Sequence, residues 1–345
     1  MPYRKSEWRV GVTTAGTELA TATARSPAGV DGTVSAATRQ RMLDAVPANT
    51  RRAYARQWDS FAAWCAEHDR GALPATGESL AEYTASLADA GKAPATIEQA
   101  LAAIRTAHRT AGYVDRPETT GARLVLRGYR RERTKSGRRA QQATPITIEA
   151  LRRMVEASDP QTVRGLRDRV ALVLGLALMG RRSELVVLEL DDVTETDDGL
   201  EVLIRASKTD KESLGAVVAI PHGQHKDTDS VRLVRAWRAL LAERGITSGP
   251  LLRSVTRHGA IGASLSAVGL NNLVREAAER AGLRNASDYS AHSLRAGGAT
   301  AAYRAGAPVS VIAAHGRWAP ASPVVLSYVR QIDKWRDNAL AGIGL

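Results

Sequence analysis

Apolar residues recur along most of the chain with the spacing of α-helices. The clearest case lies between residues 50 and 66, where one apolar stripe at i, i+4, i+7, i+8 and i+11 is formed by Tyr54, Trp58, Phe61, Ala62 and Cys65. Its aromatic rings could pack in a core or stack on nucleic-acid bases. We interpret the stripe as core, so the pattern predicts a helix packed against others.

Two more helices in this half are predicted to begin at capping boxes, Ser79 with Glu82 and Thr96 with Gln99. The second runs through an apolar-periodic segment and stops near Gly112. With another helix around residues 36–46, the pattern predicts a helical bundle over residues 35–122. Residues 1–34 are rich in Thr, Ala and Gly without periodicity, which indicates a flexible N-terminal arm.

The pattern changes after Thr144-Pro145, which marks the entry into a second domain. A helix begins near residues 147–155, and residues 166–178 form another that is almost entirely apolar and hence buried. Residues 200–207 and 214–221 predict a β-hairpin with a polar turn between its strands. Further helices are expected at 228–244, 266–281, 292–305, 308–314 and 320–330. The predicted fold class is mainly α with a small antiparallel β-sheet, in two domains.

The charge of the chain favours a polyanionic partner. Its formal net charge is +12 and its pI about 10.2. Residues 35–140 hold 18 Lys and Arg against 11 Asp and Glu, whereas residues 141–345 hold 26 against 22. The segment 123–139 has eight basic residues and one acidic residue.

That segment can be a solvated linker or a strap across a DNA backbone. We assign residues 123–144 to a basic linker. Its candidate DNA-binding residues are Arg123, Arg127, Arg130, Arg131, Arg133, Lys135, Arg138 and Arg139.

Other classes of protein are disfavoured. The single cysteine, Cys65, excludes an intramolecular disulfide and fits a reducing compartment. The longest apolar run, residues 170–180, is too short to cross a bilayer, and no secretory signal is visible. We therefore expect a cytoplasmic protein with no membrane contact.

Three separated segments carry the candidate chemistry: ALMGRRSEL (177–185), AHSLRAG (291–297) and HGRWAPASPVVLSYVR (315–330). Arg181 and Arg295 can each present a planar fork of N–H donors to phosphate oxygens. The phenol of Tyr328 can form a covalent ester with phosphorus. His292 lies three residues before Arg295, so both project from one helix face. Together these side chains suit a tyrosine attack on a phosphodiester.

In this order the motifs resemble those of the tyrosine recombinase (phage integrase) family, over roughly residues 35–345. The resemblance implies a catalytic set of Arg181, Lys208, His292, Arg295, Trp318 and Tyr328, with Glu184 in support. The family spaces its Trp and Tyr by nine residues, and this chain by ten. The resemblance also implies a two-domain DNA clamp, with a catalytic domain over residues 145–330. A tail helix over residues 331–345 would dock on a neighbouring protomer.

The resemblance further implies a site-specific recombinase that cleaves and rejoins DNA through a 3′-phosphotyrosyl intermediate. Lys208 would protonate the leaving 5′ oxygen and Trp318 would hydrogen-bond a phosphate oxygen. Neither ATP nor a metal or other cofactor would be needed. The expected partner is double-stranded DNA with an inverted-repeat target site, bound by a tetramer.

Alternatives exist at several positions. The nearest rivals for the assigned Arg, Lys and Tyr roles are Arg182, Lys211, Tyr289 and Tyr303. His222 and His225 superficially suggest a metal site, but we interpret them as loop residues because no third ligand lies at a suitable spacing. At the level of function, the rivals are a type IB topoisomerase and a catalytically inactive DNA-binding factor.

Overall fold

A computed structural model describes residues 35–113, 115–137, 143–205, 215–319, 322–328 and 340. The chain divides into two compact units, Met1–Gln141 and Gln142–Leu345. Four predicted features lie outside the described residues: the N-terminal arm, Arg138 with Arg139, the hairpin turn with Lys208, and the tail after residue 328 apart from Leu340. The predicted fold class, mainly helical with a small antiparallel sheet in two domains, is confirmed.

The described part of the first unit is helical, with α1 (Ala36–Asp44), α2 (Ala48–Glu67), α3 (Gly77–Asp89), α4 (Pro94–Thr110) and α5 (Thr120–Lys135). The stripe on α2 packs as expected, because Phe61 and Cys65 are buried in the core of this unit. The rings of Phe61 and Tyr83 meet edge to face with centroids 5.1 Å apart.

Both capping-box predictions are wrong. The N-cap of α3 is Thr76, whose side chain accepts the backbone N–H of Ser79 at 3.1 Å, so Ser79 lies inside the first turn. At α4 the first helical residue is Pro94, and Ala93 at the N-cap makes no side-chain bond. Proline at that position needs no cap partner because it lacks an N–H.

The predicted linker over residues 123–144 is also wrong for residues 123–135, which belong to α5. Ala122 and Leu126 are buried in the core of the first unit, and Tyr129 packs against it. The Tyr129 hydroxyl donates to the Lys92 carbonyl at 3.0 Å. These three positions form an apolar stripe at i, i+4 and i+7. The composition of the segment, which is dominated by charged residues, does not reveal this stripe.

The second unit contains α6 (Ile148–Glu156), α7 (Val163–Ala177), α8 (Arg182–Leu185), α9 (Ser230–Glu243), α10 (Ala267–Arg280), α11 (Ala291–Arg304) and α12 (Val309–His315). Residues 323–328 are also helical. The apolar helix α7 lies at the centre of this unit and packs against α9 and α11. None of the helices in the described ranges is long and apolar enough to span a membrane.

A three-stranded antiparallel sheet lies beside these helices, in the order β1 (Val193–Thr196), β2 (Gly199–Ile204), β3 (Ala216–Pro221). Leu200, Val202 and Ile204 alternate toward the core, as a half-buried strand requires. The strands of the predicted hairpin are present, and β1 is a strand that the periodicity did not predict.

The chain enters the second unit against α11. Ile146 is fully buried, and its N–H donates to the Ser293 carbonyl at 3.1 Å. Gly297, one turn further along α11, lies so close that a Cβ there would overlap the Ile146 carbonyl. The Thr147 side chain then caps α6 by accepting the Ala150 N–H at 3.1 Å.

Candidate active site

Five of the six predicted catalytic side chains lie together in the second unit. Arg181 precedes α8, His292 and Arg295 project from α11, and Trp318 follows α12. Tyr328 is the last described residue of the helical segment 323–328. The sixth, Lys208, lies outside the described residues. Segments more than 100 residues apart in sequence therefore meet around one site.

The guanidinium of Arg181 is held at two nitrogens. Nη1 donates to Glu184 Oε1 at 2.6 Å, and Nη2 donates to the Arg317 carbonyl at 3.0 Å. The Arg181 backbone N–H also donates to Glu184 Oε2 at 2.9 Å. Its side chain keeps 19% of its surface exposed, whereas Arg182 lies on the exposed side of α8. Arg181 is therefore oriented and still accessible to a ligand.

The guanidinium of Arg295 is almost completely buried and is held by carbonyl oxygens. Nη1 donates to the Met179 carbonyl, and Nη2 donates to the Gly316 carbonyl at 2.7 Å. Burial and the charge of Arg181 lower the pKa of Arg295 to about 9. The group therefore keeps its positive charge at neutral pH.

The Trp318 ring stacks on this guanidinium, with Arg295 Cζ 3.7 Å from the ring centroid. The same ring meets Tyr328 edge to face at 6.1 Å between centroids. Gly316 makes this position possible, because a Cβ there would overlap the indole. Within the described residues, Trp318 thus contacts both Arg295 and Tyr328.

The Tyr328 hydroxyl lies 3.2 Å from Nε2 of His292, within hydrogen-bond distance. Burial raises the pKa of Tyr328, and the charge of Arg295 offsets only part of that rise. Desolvation, followed by the charges of Arg295 and Arg181, lowers the pKa of His292 below its ordinary value. The pair is therefore a protonated phenol beside a neutral imidazole at neutral pH.

Two left-handed turns supply most of the carbonyls around the arginines. Met179 after α7 has φ +46° and Arg317 after α12 has φ +56°. At each turn the chain closes a Schellman pattern, with Gly180 N–H on the Gly175 carbonyl and Trp318 N–H on the Ala313 carbonyl. An L-residue in this conformation costs about 1–2 kcal/mol relative to the right-handed region. The carbonyl ends of two helices thus face the positive site, as the helix dipole favours.

Sequence reasoning missed Arg317. Its Nη2 donates to Glu184 Oε2 at 2.9 Å and to the Leu178 carbonyl at 3.2 Å, and its Nη1 donates to the His315 carbonyl at 2.8 Å. Burial tends to raise the pKa of Glu184, but the bonds from Arg181 and the charge of Arg317 outweigh it and hold that pKa below its usual range. One buried carboxylate thus joins two arginines. In the sequence, Arg317 is visible only as the arginine inside G-R-W, which does not indicate these contacts.

Tyr289 packs against the main core of the second unit. Tyr303 lies within α11 and packs against the cluster that contains Trp318 and Tyr328. His222 and His225 belong to the loop between β3 and α9. In the described ranges, no group of three or more His, Cys, Asp or Glu is arranged to hold a metal ion.

The predicted DNA-binding residues of α5 separate into two groups. Arg130 pairs with Glu98, and Arg133 donates to the Tyr129 hydroxyl at 3.1 Å and lies over its ring. We call these two the paired arginines. The remaining residues are exposed, repeat every four positions and make no ion pair within the described residues. We call them the α5 stripe: Arg123, Arg127, Arg131 and Lys135.

Comparison with known families matches both units. Residues 145–334 match the phage integrase family, and residues 40–111 match the phage integrase N-terminal SAM-like domain. The chain is 32% identical to an integrase/recombinase XerD homologue of Selenomonas ruminantium over 306 residues, which cover 88% of this chain and 87% of the relative. It is 28% identical to the recombinase Cre of Escherichia phage P1 over 292 residues, 79% of this chain and 81% of that protein.

Solved structures share the fold. A lambda integrase tetramer bound to a Holliday junction matches with a TM-score of 0.54 and 16% identity, covering 85% of this chain and 75% of that one. The arrangement of helices and small sheet is therefore common to this chain and that integrase.

Proposed function

Because the chain belongs to the phage integrase family and is a site-specific tyrosine recombinase, we propose that it cleaves and rejoins DNA through a 3′-phosphotyrosyl intermediate on Tyr328. The observation that carries this proposal is the 3.2 Å contact between the Tyr328 hydroxyl and His292 Nε2, beside two oriented arginines. A nucleophile, its base and a phosphate-binding pair thus share one site.

The charges of the site support this chemistry. Among the described side chains around it, the guanidiniums of Arg181, Arg295 and Arg317 and the carboxylate of Glu184 leave a net charge of +2. A phosphodiester carries one negative charge, and a second develops on its non-bridging oxygens as the tyrosine oxygen attacks. A preformed positive site binds the transition state more tightly than the ground state.

Proton transfers complete the step. The unprotonated Nε2 of His292 accepts the Tyr328 proton as the new O–P bond forms. The bond from phosphorus to the 5′ oxygen breaks with its electron pair on that oxygen, and we assign the proton that this oxygen takes up to Lys208. Trp318 keeps Arg295 in place by stacking, and its indole N–H is assigned to a phosphate oxygen.

Resealing reverses the same reaction with a new partner. A 5′-hydroxyl from another strand attacks the phosphotyrosyl ester and releases Tyr328, so the energy of the original bond is retained without ATP. Because arginines supply the charge that a divalent ion supplies in many nucleases, we assign no metal to the step.

Binding and assembly follow from the same proposal. The α5 stripe places a cation about every 6 Å along one helix face, which suits contacts to successive backbone phosphates. Recombination joins two duplexes, and a lambda integrase of the same fold is a tetramer on a Holliday junction. We therefore propose a tetramer on DNA, with an inverted-repeat site for each symmetric pair. Since DNA is the substrate, we assign the reaction to the cytoplasm.

A covalent-adduct assay tests the central step. Wild-type protein should form a protein–DNA adduct on a nicked target site that traps the intermediate, in the presence of EDTA. Tyr328→Phe should bind the same DNA and form no adduct, whereas Tyr303→Phe should still react. An adduct on Tyr328→Phe would show that another residue is the nucleophile, and a strict magnesium requirement would contradict the metal-free step.

A further inference from the structure

The turn after α12 has an arginine where its backbone favours glycine. Arg317 occupies the left-handed position of the Schellman pattern, with φ +56°, while Gly316 before it has an ordinary φ of −81°. Gly316 is needed for a different reason, the close approach of the Trp318 ring. An arginine held in an unfavourable conformation indicates that its side chain has a task.

The contacts of the Arg317 guanidinium show what that task is. It reaches one acceptor at each of three places around the site: the Glu184 carboxylate on α8, the Leu178 carbonyl after α7 and the His315 carbonyl at the end of α12. Its side chain is only 6% exposed, so its contacts are with groups inside the protein. It therefore ties together the segments that carry the exposed functional groups.

We propose that Arg317 is a positioning residue for strand cleavage, which holds Arg181 through Glu184 and through its own carbonyl. Glu184 Oε1 and the Arg317 carbonyl are the acceptors for the two terminal nitrogens of Arg181, at 2.6 and 3.0 Å. The same turn carries Trp318 onto Arg295. This inference rests on the proposed function, because it assumes that Arg181 binds the reacting phosphate.

A positioning role and a folding role differ in their consequences. The three contacts of the Arg317 guanidinium are to groups of the protein, so we expect the loss of Arg317 to leave the affinity for the target site unchanged. Without the Arg317 guanidinium, Glu184 would lose one of the groups that hold it, and Glu184 in turn positions Arg181. Misplacement of a catalytic group by about 1 Å can slow a reaction by about 10²-fold. The effect should therefore fall on the rate of cleavage rather than on the affinity for DNA.

Arg317→Gly is the informative variant, because glycine fits the left-handed turn while the guanidinium is removed. We expect single-turnover cleavage of the nicked site to fall by roughly 10- to 100-fold. The melting temperature should fall, because glycine removes one partner of a buried ion pair, whereas DNA affinity should stay that of wild type. Low millimolar guanidinium ion, against sodium chloride at equal ionic strength, should restore part of the rate to this variant. Arg317→Lys should retain more activity than Arg317→Gly.

Asp69→Gly is the matched backbone control. Asp69 is an exposed non-glycine residue with φ +51° after α2, far from the site in sequence, so its replacement relieves the same conformation and should leave cleavage unchanged. Wild-type cleavage by Arg317→Gly would overturn the inference. A joint loss of affinity and cleavage without rescue by guanidinium would also overturn it, in favour of a folding role. If wild-type protein itself forms no adduct, the proposed function fails instead.

Discussion

Replacing Glu184 by glutamine tests the electrostatic design of the site. The carboxylate is 2% exposed and accepts three hydrogen bonds, from the Arg181 guanidinium at 2.6 Å, the Arg181 backbone at 2.9 Å and Arg317 at 2.9 Å. Glutamine has the same shape, but its amide group replaces one of the two acceptor oxygens with a donor. Three buried or half-buried guanidiniums then face each other without a counter-charge.

The expected cost follows from that burial. Removal of one partner from a buried ion pair costs about 3–5 kcal/mol. In a domain of this size each kcal/mol lowers the melting temperature by about 2–4 °C, so Glu184→Gln should lose roughly 6–20 °C. Because the pKa of Glu184 is held below its usual range, its stabilisation is present above about pH 4.3 and is lost as the pH falls through the lowered pKa. The difference from wild type should therefore shrink in acid.

Glu276→Gln is the matched control in the same unit. Glu276 also pairs with an arginine, Arg164, but the two side chains are 44% and 43% exposed. An exposed pair contributes at most about 1 kcal/mol. Chemical denaturation of both variants over a series from pH 7 down to pH 2 measures the difference. Equal losses in the two variants, or a Glu184→Gln loss under about 1 kcal/mol, would refute the electrostatic reasoning.

Three further measurements test other parts of the molecule. Alanine at the three arginines of the α5 stripe should reduce the slope of log affinity for DNA against log salt concentration by about three. Alanine at the paired arginines should leave that slope nearly unchanged. The opposite result would show that the paired arginines, and not the stripe, contact the phosphates. The wild-type cleavage rate should stay flat down to about pH 6.5 and fall only below it, because the pKa of His292 is lowered; an acid limb above pH 7, or one that persists in His292→Gln, would contradict the base assignment. In the first unit, fully buried His108 accepts the Ala75 N–H at Nε2 (2.8 Å) while Nδ1 bonds the Ile104 carbonyl, and burial lowers its pKa. Its stabilisation is present above about pH 6.5 and lost as the pH falls, so the protection factor of the Ala75 amide against hydrogen exchange should decrease in acid, and a pH-independent protection factor would refute this.

Periodicity predicted the helices that bury a clear apolar face. The stripe on α2 and the apolar α7 lie close to where the pattern put them, because their hydrophobic faces decide their packing. The pattern misled where charge density was taken as a sign of a linker, since Ala122 and Leu126 anchor α5 beneath its arginines. Helix starts were also missed, because α3 begins with a side-chain cap from Thr76 that has no Glu or Gln three residues on, and α4 begins with Pro94, which needs no cap partner.

The candidate site shows the same division. The roles suggested for Arg181, His292, Arg295 and Tyr328 remain predictions, yet the structure brings these side chains together as the motif order implied. Arg317 could not be found in this way. Its task depends on a left-handed turn and on carbonyls of residues 178 and 315, and neither a backbone dihedral nor a contact across 130 residues of sequence leaves a local pattern.

The packing of Ile146 against α11 determines where the second unit can be truncated. Anyone trimming the protein to its smallest active fragment would be tempted to cut just before α6, where regular structure begins. That cut would remove a fully buried side chain, worth about 1.5–3 kcal/mol, together with the bond to the Ser293 carbonyl. It would also remove the backbone that packs against Gly297, in the helix that carries His292 and Arg295. A fragment that begins at residue 143 keeps Ile146 in place, and one that begins at residue 148 leaves α11 uncovered on that side.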